Sequence, residues 1–218
     1  MAVSDSRNFN IDVVEAIEEA YERCGGEGKT GYSLRSARRS LNIMLAEWAN
    51  RGINLFTIEQ VTTTLTAGTA NYTLGIDTID ILEMVIRRNG TDTSVTRISR
   101  SSYLNLPNKT STGKPSQFFV DRQVNPVLYL WQTPENSTDQ IIYYRLVRID
   151  DADTYKNDFD IPFRFYPCLV AGLAYYLSIK VAPDRATILK SIYDEEFTRA
   201  AAEDRDRTSL QLVPRILT

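Results

Sequence analysis

Residues 163–182, FRFYPCLVAGLAYYLSIKVA, are apolar on nearly every side of a helical projection. Such a helix either crosses a bilayer or is enclosed by other helices, so its reading decides the architecture of the whole chain. Its apolar part, 165–182, runs to about 18 residues, the short end of what a bilayer core needs. It also contains Pro167 and Lys180, and Arg164 flanks it. A helix buried in a bundle or at a subunit interface fits this better than a membrane span. Downstream, Pro183-Asp184 breaks the helix, and RATILKSIYDEEFTRAAAEDRDR (185–207) continues as a charge-rich helical segment.

Partners for the apolar helix lie at the other end of the chain. In NIDVVEAIEEAYERC (10–24), Val13, Val14, Ile17, Tyr21 and Cys24 recur at helical spacing and form one apolar stripe. Gly25 and Gly26 follow where glycine accepts a left-handed C-cap. A second helix is predicted in YSLRSARRSLNIMLAEWANRG (32–52) and stops at Gly52. Leu34, Ala37, Leu41, Met44, Leu45 and Trp48 trace its apolar face, and Arg35, Arg38 and Arg39 gather on another. Two helices joined so closely are expected to pack as an antiparallel hairpin. The connector GGEGKTG (25–31) contains GKT but is no phosphate loop. The first glycine of that motif would fall at Arg23, and a helix precedes it instead of a strand.

Between these helical ends the periodicity changes to two. FTIEQVTTTLTAGTANYTL (56–74) reads as two strands around Ala67-Gly68-Thr69. IDILEMVIRR (79–88) and TSVTRI (93–98) flank Asn89-Gly90, a hairpin signal because both residues tolerate positive φ. SRSSYLNL (99–106) predicts a short helical turn before the polar loop PNKTSTGKP (107–115). SQFFVDR, PVLYLWQT and QIIYYRLVRI supply the last strands. The expected fold is α+β: a helical bundle from N- and C-terminal segments with an inserted antiparallel β-sandwich or barrel-like domain. Its expected parts are an N-terminal helical hairpin (1–54), the β domain (55–150), helices completing the bundle (151–207) and an extended tail (208–218).

Composition narrows the chemistry. The 218 residues are 43% hydrophobic and 24% charged, as in soluble globular proteins. MAVSDSRNFN has neither the basic nor the apolar region of a signal peptide. Two scattered cysteines, Cys24 and Cys168, make no disulfide framework, and reduced thiols in a cytoplasm are expected. The chain has no histidine, which excludes Ser-His-Asp, Cys-His and HExxH chemistry. A net charge of −3 is the opposite of a basic DNA-binding footprint. Asp150, Asp151, Asp153, Asp158 and Asp160 suggest calcium, but an EF-hand starting at Asp151 would need Gly and Glu where Lys156 and Pro162 stand. A solvated loop is the better reading, with cation binding between subunits left open. No acidic pair stands out as a glycosidase pair. The strand aromatics Phe118, Phe119, Tyr129, Trp131, Tyr143 and Tyr144 are assigned to core packing, since no RNA-binding motif accompanies them.

The segments ARRSLN (37–42), AEWANRG (46–52) and APDRA (182–186) followed by Leu189-Lys190 and Tyr193, with RISRSSYLNLPNKTSTGKPSQFFVDRQVNPVLYLWQTPEN (97–136) between them, lie in an order that covers nearly the whole chain. In this the sequence resembles the head-to-tail adaptor proteins of short-tailed bacteriophages. The resemblance implies a homo-oligomeric ring, expected as a 12-mer, docked on the portal protein and carrying the tail nozzle protein. Double-stranded DNA would pass through its channel without sequence-specific binding. It implies a location in the virion neck after assembly in the host bacterial cytoplasm, with no cofactor, no membrane span and no enzymatic activity. The helical bundle would face portal and channel, and the β domain the periphery or the tail. Rival readings from other classes are a histidine-free cell-wall glycan hydrolase and a phage DNA-binding module. Arg35, Arg38 and Arg39 are the candidate subunit or portal interface. The tail TSLQLVPRILT, through Leu210, Leu212, Val213, Pro214, Arg215 and Ile216, is the candidate portal-docking segment.

Overall fold

The computed structural model describes residues 9, 11–26, 31–51, 57–153 and 158–204. Two compact units emerge, one from residues 1–56 with 149–218 and the other from 57–148. Each has a separate hydrophobic core.

In the helical unit, α1 (Val13–Cys24) starts at a capping box. Asp12 Oδ1 accepts from the Glu15 amide at 2.7 Å, and Glu15 Oε2 accepts from the Asp12 amide at 3.1 Å. Gly25 ends the helix at φ 78°, where a β-carbon would clash with the Arg185 guanidinium. The second helix, α2, spans Gly31–Arg51. The residues from the opening stretch form α4 (Tyr166–Val181), and a single 3-10 turn at Pro183–Arg185 leads into α5 (Ala186–Glu203).

α4 is the hub of this unit. Gly172 and Tyr176 meet Met44 and Glu47 of α2, and Lys180 Nζ donates to Ser40 Oγ at 2.6 Å. A stripe nearly opposite, Pro167, Val170 and Ala174, lies against α1, where Cys24 Sγ donates to the Ala174 carbonyl. The Tyr175 ring stacks on Tyr193 of α5. With three helices around it, α4 has no broad face left for solvent, which is why its sequence is apolar all round. No helix among the described residues is long and apolar enough to cross a membrane.

α1 and α2 run antiparallel as expected, but they do not pack chiefly on each other. Both helices pack mainly on α4 and meet each other near their junction, where the Tyr21 hydroxyl donates to the Ser33 carbonyl at 3.1 Å. The larger apolar surface of α4 outcompetes the contact between sequence neighbours. The stripes themselves are as predicted, except that Val14 and Leu34 are half-buried while Ala16, Ala20 and Ser40 are fully buried. The GKT and Gly52 lie outside the described residues.

The second unit contains β1 (Ile58–Thr64), β2 (Asn71–Thr73), β3 (Thr78–Arg88), β4 (Thr91–Ser94), β5 (Thr96–Arg97), the short helix α3 (Arg100–Leu104), β6 (Thr112–Gly113), β7 (Gln117–Asp121), β8 (Val127–Trp131), β9 (Thr133–Pro134) and β10 (Gln140–Val147). They make sheets of order β1-β10-β3-β4 and β2-β8-β7-β5, plus the small pair β6-β9. The sheets are open, so the barrel-like alternative does not hold. Pairing is antiparallel apart from two-residue parallel contacts at β5-β7 and β6-β9. Asn89 at φ 51° and Gly90 at φ 78° turn β3 into β4 as the sequence predicted. By contrast β1 and β2 pair with β10 and β8, across long stretches of chain, and not with each other.

Alternation sorts the strand aromatics. Phe118, Val120, Leu128 and Leu130 point into the core between the sheets with Ile81, Ile86 and Ile141. Tyr143 is buried there as well, which fits the core assignment for it and Phe118. Phe119, Tyr129 and Trp131 sit half-buried on the other face, under the α3 segment. Tyr103 stacks on Phe119 at 5.6 Å and meets Tyr129 in a tilted contact at 5.4 Å between centroids, and Trp131 Nε1 donates to the Asn108 carbonyl at 2.9 Å. Tyr144 is exposed. For these four residues the core assignment is corrected: neighbours in a strand point to opposite faces, so Phe118-Phe119 and Tyr143-Tyr144 cannot share one core.

Candidate interaction surfaces

The arginine cluster divides in two. Arg35 and Arg39 are exposed, whereas Arg38 is half-buried and its guanidinium donates to the Asp153 carbonyl, tying α2 to the segment beyond the β unit. Arg35 Nε donates to the Gly31 carbonyl of its own first turn, at 3.1 Å. Tyr32 and Ile43, 72% and 60% exposed, extend the row, so positions 32, 35, 39 and 43 form one outward strip of basic and apolar groups.

Across the unit, α1 turns an acidic row outward. Glu15, Glu18 and Glu22 are exposed, and Glu19 pairs with Arg23 at 2.8 Å. With Tyr166, Pro167 and Val170 of α4 as an apolar floor, this row borders a groove of about 640 Å³. The spacing of the glutamates in the sequence already puts them on one face, whereas the groove beside them depends on how α4 packs against α1. A second groove, between α4 and α5, is apolar. Ile188, Leu189, Ile192 and Ala171 line it, and Arg23 and Arg185 guard it.

Inside the helical unit, a polar network was not foreseen. Trp48 Nε1 donates to the Tyr193 hydroxyl at 2.8 Å, and the hydroxyls of Tyr193 and Tyr176 each donate to Glu47 Oε2 at 3.2 Å. Arg51 pairs with Glu47 and lies over the Phe197 ring at 4.4 Å. Nothing in the local periodicity reveals that α2 and α5 share these bonds.

Reactive groups are suppressed. Burial pushes the Cys168 thiol up to about 12 and raises the Cys24 thiol, so both are protonated at neutral pH and poor nucleophiles. Burial raises the Tyr193 phenol in the same direction. A group whose folded pKa exceeds its unfolded value stabilises the fold fully below the unfolded pKa and loses that contribution as pH rises through the folded one. Urea midpoints are therefore expected to hold steady up to about pH 8.5 and to fall between about 9 and 12. Cys168→Ala should flatten that fall; a midpoint indifferent to pH across the window would contradict the buried environment of Cys168.

Among the described residues, no three His, Cys, Asp or Glu side chains gather closely enough to hold a metal ion. Asp150, Asp151, Asp153, Asp158 and Asp160 are all exposed. In the β unit, Arg97 and Arg122 share Asp80, and Arg100 pairs with Asp121 beside Phe119. The proposed docking tail, Leu210 to Ile216, lies outside the described residues.

The described residues of this α+β chain thus present charged and apolar surfaces. The sequence model of the SU10 adaptor protein family matches residues 12–215, and the chain belongs to that family. It is a bacteriophage head-to-tail adaptor, a structural protein. Comparison with curated proteins gives no match.

Proposed function

We propose that this adaptor works as a ring of identical copies, expected as twelve, between the portal protein and the tail nozzle protein, with genomic DNA passing through its centre in the virion neck. The observation that carries this reading is the separation of a basic strip on α2 from an acidic groove at α1. A ring is made of heterologous contacts, and those require two different, mutually complementary faces on each copy. Arg35 and Arg39 serve such an interface, and Arg38 braces it by holding the segment after the β unit. The protein acts through these surfaces and catalyses nothing, in keeping with its buried, protonated thiols. A net charge of −3 per copy, repeated around the ring, lets polyanionic DNA slide without being gripped.

The tail supplies the portal contact. Leu210, Leu212, Val213 and Ile216, with Pro214 and Arg215 among them, bury their apolar groups in a groove of the portal. Deleting residues 208–218 is expected to abolish docking on the portal in a pull-down while leaving the circular dichroism spectrum and urea midpoint of the free protein unchanged. Undiminished docking of the truncated protein would refute the role of the tail.

A further inference from the structure

We propose that the acidic row of α1 in one copy receives the basic strip of α2 in the next, with Glu18 facing Arg39 and Glu22 facing Arg35. This rests on the ring reading and specifies the contact on which the ring would close.

Glu18 and Glu22 stand one turn apart and are exposed, and among the described residues neither carboxylate has a hydrogen-bond or ion-pair partner. Arg35 and Arg39 have the same spacing, and among the described residues neither meets a carboxylate. Like charges at i and i+4 destabilise the helix that carries them. Each helix thus holds a pair of like charges that the described residues leave uncompensated, and each pair is the complement of the other in sign and spacing. Elsewhere in the unit, three oppositely charged pairs at this spacing are closed within a helix: Arg23 with Glu19, Arg51 with Glu47 and Arg199 with Glu195.

The two faces cannot meet within one chain. The α4 residues that touch α2 (Gly172, Tyr176, Lys180) and those along the α1 groove (Pro167, Val170) lie on well-separated sides of that helix. α1 runs parallel to α4, since Tyr166 and Pro167 lie by Ile11 and Glu15 while Ala174 meets Cys24. α2 runs antiparallel to α4, since Phe165 packs on Trp48 and Lys180 reaches Ser40. Copies related by rotation about an axis along the bundle therefore bring α1 and α2 together antiparallel, so that when the two charge pairs meet, Glu18 faces Arg39 and Glu22 faces Arg35. The same register carries exposed Ile43 toward the apolar floor at Ile11, Tyr166 and Pro167. Apolar surface thereby joins the ion pairs, as in the core of a protein interface.

Two charge-reversed proteins test the pairing. Variant one is E18R/E22R, with arginines on both faces; variant two is R35E/R39E, with glutamates on both. All four positions are exposed, so circular dichroism should match the wild type. Each protein is mixed with the phage's own portal protein, and rings are counted by negative-stain electron microscopy and sized by analytical ultracentrifugation. Each variant alone should lose assembled rings at least about tenfold, and an equimolar mixture of the two should recover them, because every acidic face then meets a basic one. Rings formed by either variant alone at wild-type level would overturn the pairing and leave the ring reading standing. Failure of the mixture to recover rings that wild type forms would overturn the pairing too. Absence of rings in the wild type would instead overturn the ring reading beneath it.

Discussion

Trp48→Ala is expected to lower the stability of the helical unit by about 3–5 kcal/mol, enough to leave a marginal unit largely unfolded. Trp48 is fully buried and packs against Phe165 and Phe197 at 5.8 and 6.3 Å between centroids. Truncation opens a cavity where α2 meets α4 and α5, and also removes the indole donor from the Tyr193 hydroxyl. Trp48→Phe separates these effects. It keeps most of the volume and should cost roughly 1–3 kcal/mol, for the lost hydrogen bond and the smaller ring. Urea unfolding followed by far-UV circular dichroism measures both. A loss below about 1 kcal/mol for the alanine variant would mean that the α2–α4–α5 contact is not the centre of this core.

Arg88→Ala is expected to cost the β unit about 3–5 kcal/mol, and more than Asp139→Ala does. The Asp139 side chain is only 2% exposed, and Arg88 reaches it with Nε at 2.9 Å and Nη2 at 2.6 Å. Removing the arginine strands a buried carboxylate. Removing Asp139 leaves Arg88 28% exposed and still paired with Glu135 at 2.8 Å, so that loss should be about half as large. The pair joins the end of β3 to the start of β10, the two central strands of their sheet. Because Trp131 is the tryptophan of the β unit, its fluorescence in a Trp48→Phe background reports this unit alone. Equal losses for the two substitutions, or a larger one for Asp139→Ala, would contradict the burial asymmetry.

How much of this was legible in the sequence depends on how local each determinant is. The all-round apolar character of 165–182 disclosed a central helix, because that property belongs to the helix itself. Asn89-Gly90 disclosed a hairpin, because turn chemistry is set by two residues. The antiparallel course of α1 and α2 follows from their short connector, but α4 as their main partner does not, since periodicity identifies which side is buried and says nothing of what covers it. The partners of β1 and β2 escaped for the same reason: their ladders run to β8 and β10, far along the chain. Within the candidate interface, three arginines at positions 35, 38 and 39 look equivalent in a helical projection. The structure separates them because the Asp153 carbonyl lies within reach of Arg38 only.

The measurement that bears most directly on the account is electron microscopy of the full-length protein before and after addition of the phage's portal protein. The account predicts closed rings of the adaptor seated on the portal, with a central opening wide enough for duplex DNA. An adaptor that stays unassembled and unbound beside intact portal would contradict it.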